Sequence, residues 1–224
     1  MGGRGGSSGG GGGGGAAAPN NYQPWTDENG EPLPEMDQHT YEVSARMFSG
    51  SSLGFRRAIQ GDEDWLEHWE LDEEGSRERL VKRARQFDNY LAKGEYDGML
   101  YRGLRMDPEA AKALQPGMLI NHNGMASFTK SESTATDFST HAPGTGITDG
   151  QRVLLVLEGG TRAGRDISPY SMYKSEDEVT LASCSHMRIT KVYESGGHVV
   201  VHGTEEIHQY DPNVAKGHGP QVVR

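Results

Sequence analysis

An α+β domain, with its helices gathered ahead of its strands, is the fold class that the sequence predicts. Three observations predict it. Residues 36–97 carry apolar side chains at helical spacing, and residues 98–208 break into short strands bounded by glycine and polar turns. Few helices are interposed among those strands, which argues against a parallel sheet built from βαβ units.

Residues 1–19 are mostly glycine and read as a disordered tail, because a segment with almost no side chains to bury cannot offset its ordering entropy. An engineered linker would give the same string. Residues 20–35, with Pro24, Pro32, Pro34 and a turn at Glu28-Asn29-Gly30, form an irregular lead-in. Helices are predicted over 36–48, 51–60 and 62–71, the last placing Trp65 and Trp69 on one face. The strongest runs over 76–93, where Leu80, Ala84, Phe87 and Leu91 make an apolar stripe, Ser76 serves as N-cap and Gly94 stands past the end. Strands are predicted at 99–105, 118–120, 126–130, 152–157, 178–182, 187–193 and 198–202. Short helices lie between them, one opening at Asp107-Pro108 and one over 131–140, followed by a Gly- and Pro-containing loop over 141–150. Residues 209–224, with Pro212, Gly217, Gly219 and Pro220, read as a flexible tail. One folded domain over 36–208 remains, with a helical part (36–97) and a β-rich core (98–208).

Composition removes several function classes. The net charge of the 224-residue chain is −10, and the acidic crowding over 61–74 repels phosphate backbones, against general nucleic-acid binding. A single cysteine, Cys184, permits no intrachain disulfide and fits a reducing compartment. No Cys/His spacing fits zinc and no EF-hand loop occurs, so no metal is expected; His122 and His141 read as core or surface residues. No apolar run is long enough for a signal peptide core or a bilayer span. The expectation is a soluble protein, cytoplasmic where it is made, with delivery into a target cell left open. Familiar nucleotide and hydrolase motifs are missing: no GxxxxGK[ST], no GxSxG, and a Gly159-Gly160 pair without GxGxxG spacing.

Three segments carry possible chemistry. In Tyr101-Arg102-Gly103 an arginine interrupts an apolar strand, where its planar guanidinium suits a diphosphate or ribose. In Ser127-Phe128-Thr129 alternation puts both hydroxyls on one face, able to brace a carboxylate, and Phe128 on the other. In Glu176-Asp177-Glu178 two carboxylates two residues apart at a strand start project to one side, and one of them is expected to have a raised pKa. Each alone has an ordinary structural reading: a snorkelling arginine, a plain strand, a solvated strand entry.

Their order and spacing resemble the Arg-Ser-Glu branch of the mono-ADP-ribosyltransferase family, over residues 98–195. Where that branch usually has Ser-Thr-Ser, this chain has Ser127-Phe128-Thr129, which leaves the role of Thr129 open. The resemblance implies a split, mixed β-sandwich, with 36–208 as the catalytic domain and NAD as substrate in its cleft. Arg102 would bind the NAD phosphates and adjoining ribose, with Gly103, Phe128 and Thr129 lining the same site. Ser127 would orient Glu178, and Glu178 would stabilise the oxocarbenium-like state as nicotinamide leaves. Glu176 would act as base on the acceptor, which the family pattern makes an arginine of a partner protein. The loop over 141–150 falls where the family closes on NAD, and Tyr170 or Tyr173 would stack on the acceptor guanidinium. A cognate inhibitor or immunity protein is a further partner of the kind such toxins and effectors have. Rival readings are an NAD glycohydrolase, a transferase acting on nucleic acid, and a phage or virion protein with a degenerate transferase domain.

Overall fold

The computed structural model describes residues 22–62, 75–141, 150–211 and 221–223. The glycine-rich tail, nearly all of the helix expected over 62–71, the interior of the loop over 141–150 and most of the C-terminal tail lie outside the described residues.

Three helices form one layer. Helix α1 (Gln38–Gly50) opens where Asp37 Oδ1 accepts the Thr40 amide at 2.8 Å, and it buries Tyr41, Ser44, Ala45 and Phe48 along one stripe. Helix α2 (Ser52–Gln60) ends at Gly61, whose φ of 63° is the left-handed cap that glycine adopts at no steric cost. Helix α3 (Ser76–Leu91) buries the predicted stripe of Leu80, Ala84, Phe87 and Leu91. Its N-cap is Gly75 rather than Ser76. Ser76 is already helical, and its hydroxyl accepts a hydrogen bond from Arg79 instead of capping the backbone. The rings of Phe48, Phe55 and Phe87 meet with centroids 5.6 to 5.9 Å apart and lock the three helices together.

The strands are β1 (Leu100–Met106), β2 (Leu119–Asn121), β3 (Ala126–Thr129), β4 (Gln151–Glu158), β5 (Gly164–Asp166), β6 (Glu178–Leu181), β7 (Ser185–Ser195), β8 (His198–Ile207) and β9 (Gln221–Val223). They hydrogen-bond in the order β5-β6-β3-β1-β4-β8-β7-β2-β9, all antiparallel except β4 with β8. Helix α4 (Pro108–Lys112) follows β1, with Asp107 capping it as its sequence predicts. Helix α5 (Glu132–His141) follows β3 and lies on β1. Central β4 is buried on both faces. Val153, Leu155 and Leu157 enter the main sheet core, while Leu154 and Val156 pack with Ala135 of α5.

The sheet is weakest between β1 and β3, which pair at one position only, Tyr101 opposite Thr129. The residues around that seam are those that the three sequence motifs supply.

Two departures from the sequence expectation lie near the C-terminus. Tyr210 is buried, 6.1 Å from the Trp25 ring, and Gln221–Val223 adds a strand to the otherwise bare edge of β2. Composition marks this segment as a fraying tail because it is rich in glycine and proline, yet a few apolar residues in it find long-range partners. Strand β5 also escapes the sequence pattern, being only Gly164–Asp166.

Candidate active site

A cleft of about 540 Å³ opens along the β1–β3 seam, between the sheet and the α1–α2 corner. Its volume is that of a small-molecule site. Another hollow of about 520 Å³, beside Glu158 and Glu205, has its carboxylates engaged: Glu205 accepts from Thr161, Ser185 and the Arg162 amide, and Glu158 meets His202. The seam cleft, by contrast, gathers all three sequence motifs: Arg102, Gly103, Ser127, Phe128, Thr129, Glu176 and Glu178 all line it.

Strand register explains how. Ser127 lies opposite Thr180 and Thr129 opposite Glu178, so these four side chains share one face of β3 and β6. Phe128 and Val179 face the main sheet core, as alternation predicts. Glu178 is 4% exposed, and burial raises its carboxyl to about 7. The Ser127 hydroxyl hydrogen-bonds it and pulls the other way, neighbouring Glu176 raises it further, and the Thr180 hydroxyl, at 3.4 Å, lowers it. Glu176 does not stand on the strand. It ends a 3-10 turn, Lys174–Glu176, and Asp177, in the left-handed region at φ 48°, joins it to β6. That turn, not strand alternation, brings Glu176 to the cleft, half-buried, with a carboxyl raised by burial. It makes no ion pair among the described residues.

Arg102 shares the core-side parity of Leu100 and Leu104 and emerges against the Phe128 ring, its guanidinium carbon 5.9 Å from the centroid. Its Nη1 is buried and has no hydrogen-bond partner among the described residues. Burial, and secondly the guanidinium of Arg56, push Arg102 down to about 9. Arg56 is the residue that the sequence motifs missed. It comes from α2, lines the same cleft and has a buried, unpartnered Nε. Its neighbour Arg57, which sequence alone cannot tell apart from it, turns to an ion pair with Asp62. Behind Arg102 the His122 ring is buried, 5.3 Å from Phe128; burial and then Arg102 hold its pKa well below the usual range, so it adds no charge.

Other expected residues have different work. Gly103 lines the cleft, but a Cβ there would fall 1.6 Å from the Ala135 carbonyl oxygen, so glycine is required for α5 to lie on β1. Thr129 Oγ1 accepts the Ser131 amide at 3.0 Å, leading the chain into α5. Tyr170 stands away from the position expected for it beside the acceptor. Its ring packs edge-on to Tyr41 at 5.4 Å and its hydroxyl accepts from Gln38, so it braces the helical layer and does not line the cleft. Tyr173, half exposed, does line it.

No group of three or more His, Cys, Asp or Glu among the described residues is arranged to hold a metal. No helix there is long and apolar enough to cross a membrane. No protein-family model matches the sequence, and no curated protein does. Solved structures do. The crystal structure of the ADP-ribosyltransferase Vis in complex with agmatine superposes with a TM-score of 0.56 at 22% identity, over 79% of this chain and 77% of that one. The Vis toxin of Vibrio splendidus, an ADP-ribosyltransferase, gives 0.52 at 22% identity, over 79% and 76%. At this identity the likeness speaks for architecture: the chain has the ADP-ribosyltransferase fold.

Proposed function

We propose that the protein is an NAD-dependent mono-ADP-ribosyltransferase that modifies an arginine of a partner protein. One observation carries the reading: a buried carboxylate, Glu178, shares a single cleft with two half-buried guanidinium groups, each with a buried nitrogen that has no partner among the described residues. Buried cations need an anion, and a diphosphate is an anion that planar guanidinium groups hold well. Arg102 and Arg56 hold the NAD diphosphate. Glu178, oriented by Ser127, places negative charge where positive charge develops on the ribose as the bond from C1′ to the nicotinamide nitrogen breaks. Nicotinamide leaves with the bonding electron pair. The acceptor nitrogen then bonds to C1′, and Glu176 takes the proton that it releases. The agmatine held by the structural neighbour Vis bears a guanidinium, the group that an arginine acceptor would present.

A glycohydrolase would use the same cleft with water as acceptor, and unpaired Glu176 at the mouth favours transfer over it. The test uses labelled NAD with agmatine as acceptor. Wild type is expected to label agmatine, and Glu176→Gln to lose labelling by about ten-fold or more while still releasing nicotinamide. Equal loss of both would refute the role of Glu176. Nicotinamide release with no labelled acceptor in the wild type would make the protein a hydrolase.

A further inference from the structure

Six large hydrophobic side chains are exposed among the described residues; two of them, Leu53 and Tyr173, line the cleft, and a third, Met172, lies beside it against Gly50. They come from two segments locked together. The Met172 amide donates to Ser49 Oγ at 2.9 Å, and the Met172 sulfur lies against Gly50, where a Cβ would stand only 2.6 Å from it. Ser49 and Gly50 line the cleft on the α1–α2 corner, and Leu53 opens α2 beside them. The loop that delivers Tyr173 and Glu176 is thereby seated on the helical layer, and its exposed apolar side chains continue onto that of Leu53.

We infer that Leu53, Met172 and Tyr173 form an apolar collar that docks an acceptor protein segment whose arginine is flanked by apolar side chains. The inference rests on the transferase reading above and adds the chemistry of the partner. Charge complementarity selects the occupant. Inside the collar stands Glu176, a half-buried carboxylate with no ion-pair partner among the described residues, so what binds there brings a positive group on an apolar surround. A guanidinium carried by an apolar segment meets both requirements. Neighbouring Glu178 adds to the same demand.

The test uses three acceptors with labelled NAD: agmatine, a peptide with one arginine flanked by leucine and phenylalanine, and a peptide with one arginine flanked by serine and glycine. Wild type should modify the apolar-flanked peptide with a kcat/KM roughly ten-fold above the polar-flanked one. The double variant Leu53→Gln, Met172→Gln removes two exposed apolar side chains without adding charge beside Glu176 and should fold normally by circular dichroism. It should erase that preference and leave agmatine labelling and nicotinamide release within about two-fold of wild type. Equal rates for the two peptides in the wild type, or an undiminished preference in the variant, would overturn the collar. So would dimerisation that the same substitutions abolish, since a second copy would then be its occupant. Failure of all three acceptors, with nicotinamide still released, would instead sink the arginine reading and the collar with it.

Discussion

Two buried carboxylates, Asp88 and Glu178, sit in contrasting surroundings. Asp88, on α3, is fully buried, and its oxygens accept from Trp25 Nε1 at 2.8 Å, from the Ser183 amide at 2.7 Å and from the Ser183 hydroxyl. It ties the lead-in, the helical layer and the turn after β6 into one unit. Glu178 meets only two side-chain hydroxyls among the described residues, and the guanidinium groups that line the same cleft each keep a buried nitrogen without a partner there. One region has closed its hydrogen bonds internally; the other leaves them open. Closed networks hold a fold, whereas open ones remain available to a ligand and cost stability until it arrives.

The largest expected effect separates the two roles at once. Glu178→Gln should lower nicotinamide release by about a thousand-fold, in the range set by losing one transition-state electrostatic partner. The same change should stabilise the protein at pH 8. Folded Glu178 holds its proton up to about 7 against an ordinary value of 4.5. Stability therefore falls as the pH rises between those values, and the variant escapes a loss of roughly 3 kcal/mol. Urea denaturation at pH 8 and pH 4 checks it: the gain should be present at the first pH and absent at the second. A variant no more stable at pH 8 would mean that the cleft already compensates the carboxylate.

Asp88→Ala should do the reverse, costing about 2–4 kcal/mol by leaving the Trp25 and Ser183 donors without an acceptor, while activity per folded molecule stays near wild type. Denaturation paired with active-site-normalised rates would show it. Arg56→Ala should leave stability within about 1 kcal/mol of wild type, since the cation it removes has no internal anion, but weaken NAD binding by about ten-fold. Titration calorimetry with a non-hydrolysable NAD analogue measures that, and unchanged affinity would remove Arg56 from the diphosphate site. The smallest effect is expected from Ser127→Ala. Its hydroxyl lowers the Glu178 pKa, so the pH profile of kcat/KM for nicotinamide release, which should rise with pH through about 7 in the wild type, should move upward by up to about one unit. A downward shift would contradict the hydrogen bond.

Much of the cleft was legible before folding. Arg102, Ser127 and Glu178 stand in strands, where alternation fixes their sides, so their types and order carry information that survives folding. Glu176 was legible by its spacing, but the strand alternation invoked for it was wrong; a 3-10 turn places it. Arg56 was hidden because it follows an amphipathic stripe and stands beside Arg57, and only helix packing decides which of the two faces the cleft. Tyr170 and Tyr173 are equally plausible in a loop sequence, and the path of the loop over Tyr41 sends the first to the core and the second to the cleft. Gly103 lines the cleft, and its missing Cβ also lets α5 lie close on β1, a requirement that the sequence motif does not reveal.

The sequence by itself determined the α+β class, the apolar stripe of α3, the alternation of β3 and the three segments that line the cleft. These are local periodicities, fixed by backbone geometry. Tertiary structure alone decided that β1 and β3 meet at a single pair, that the seam opens between them, and that Arg56 turns inward there. Each depends on contacts between segments far apart in the chain, which leave no periodic mark in the sequence.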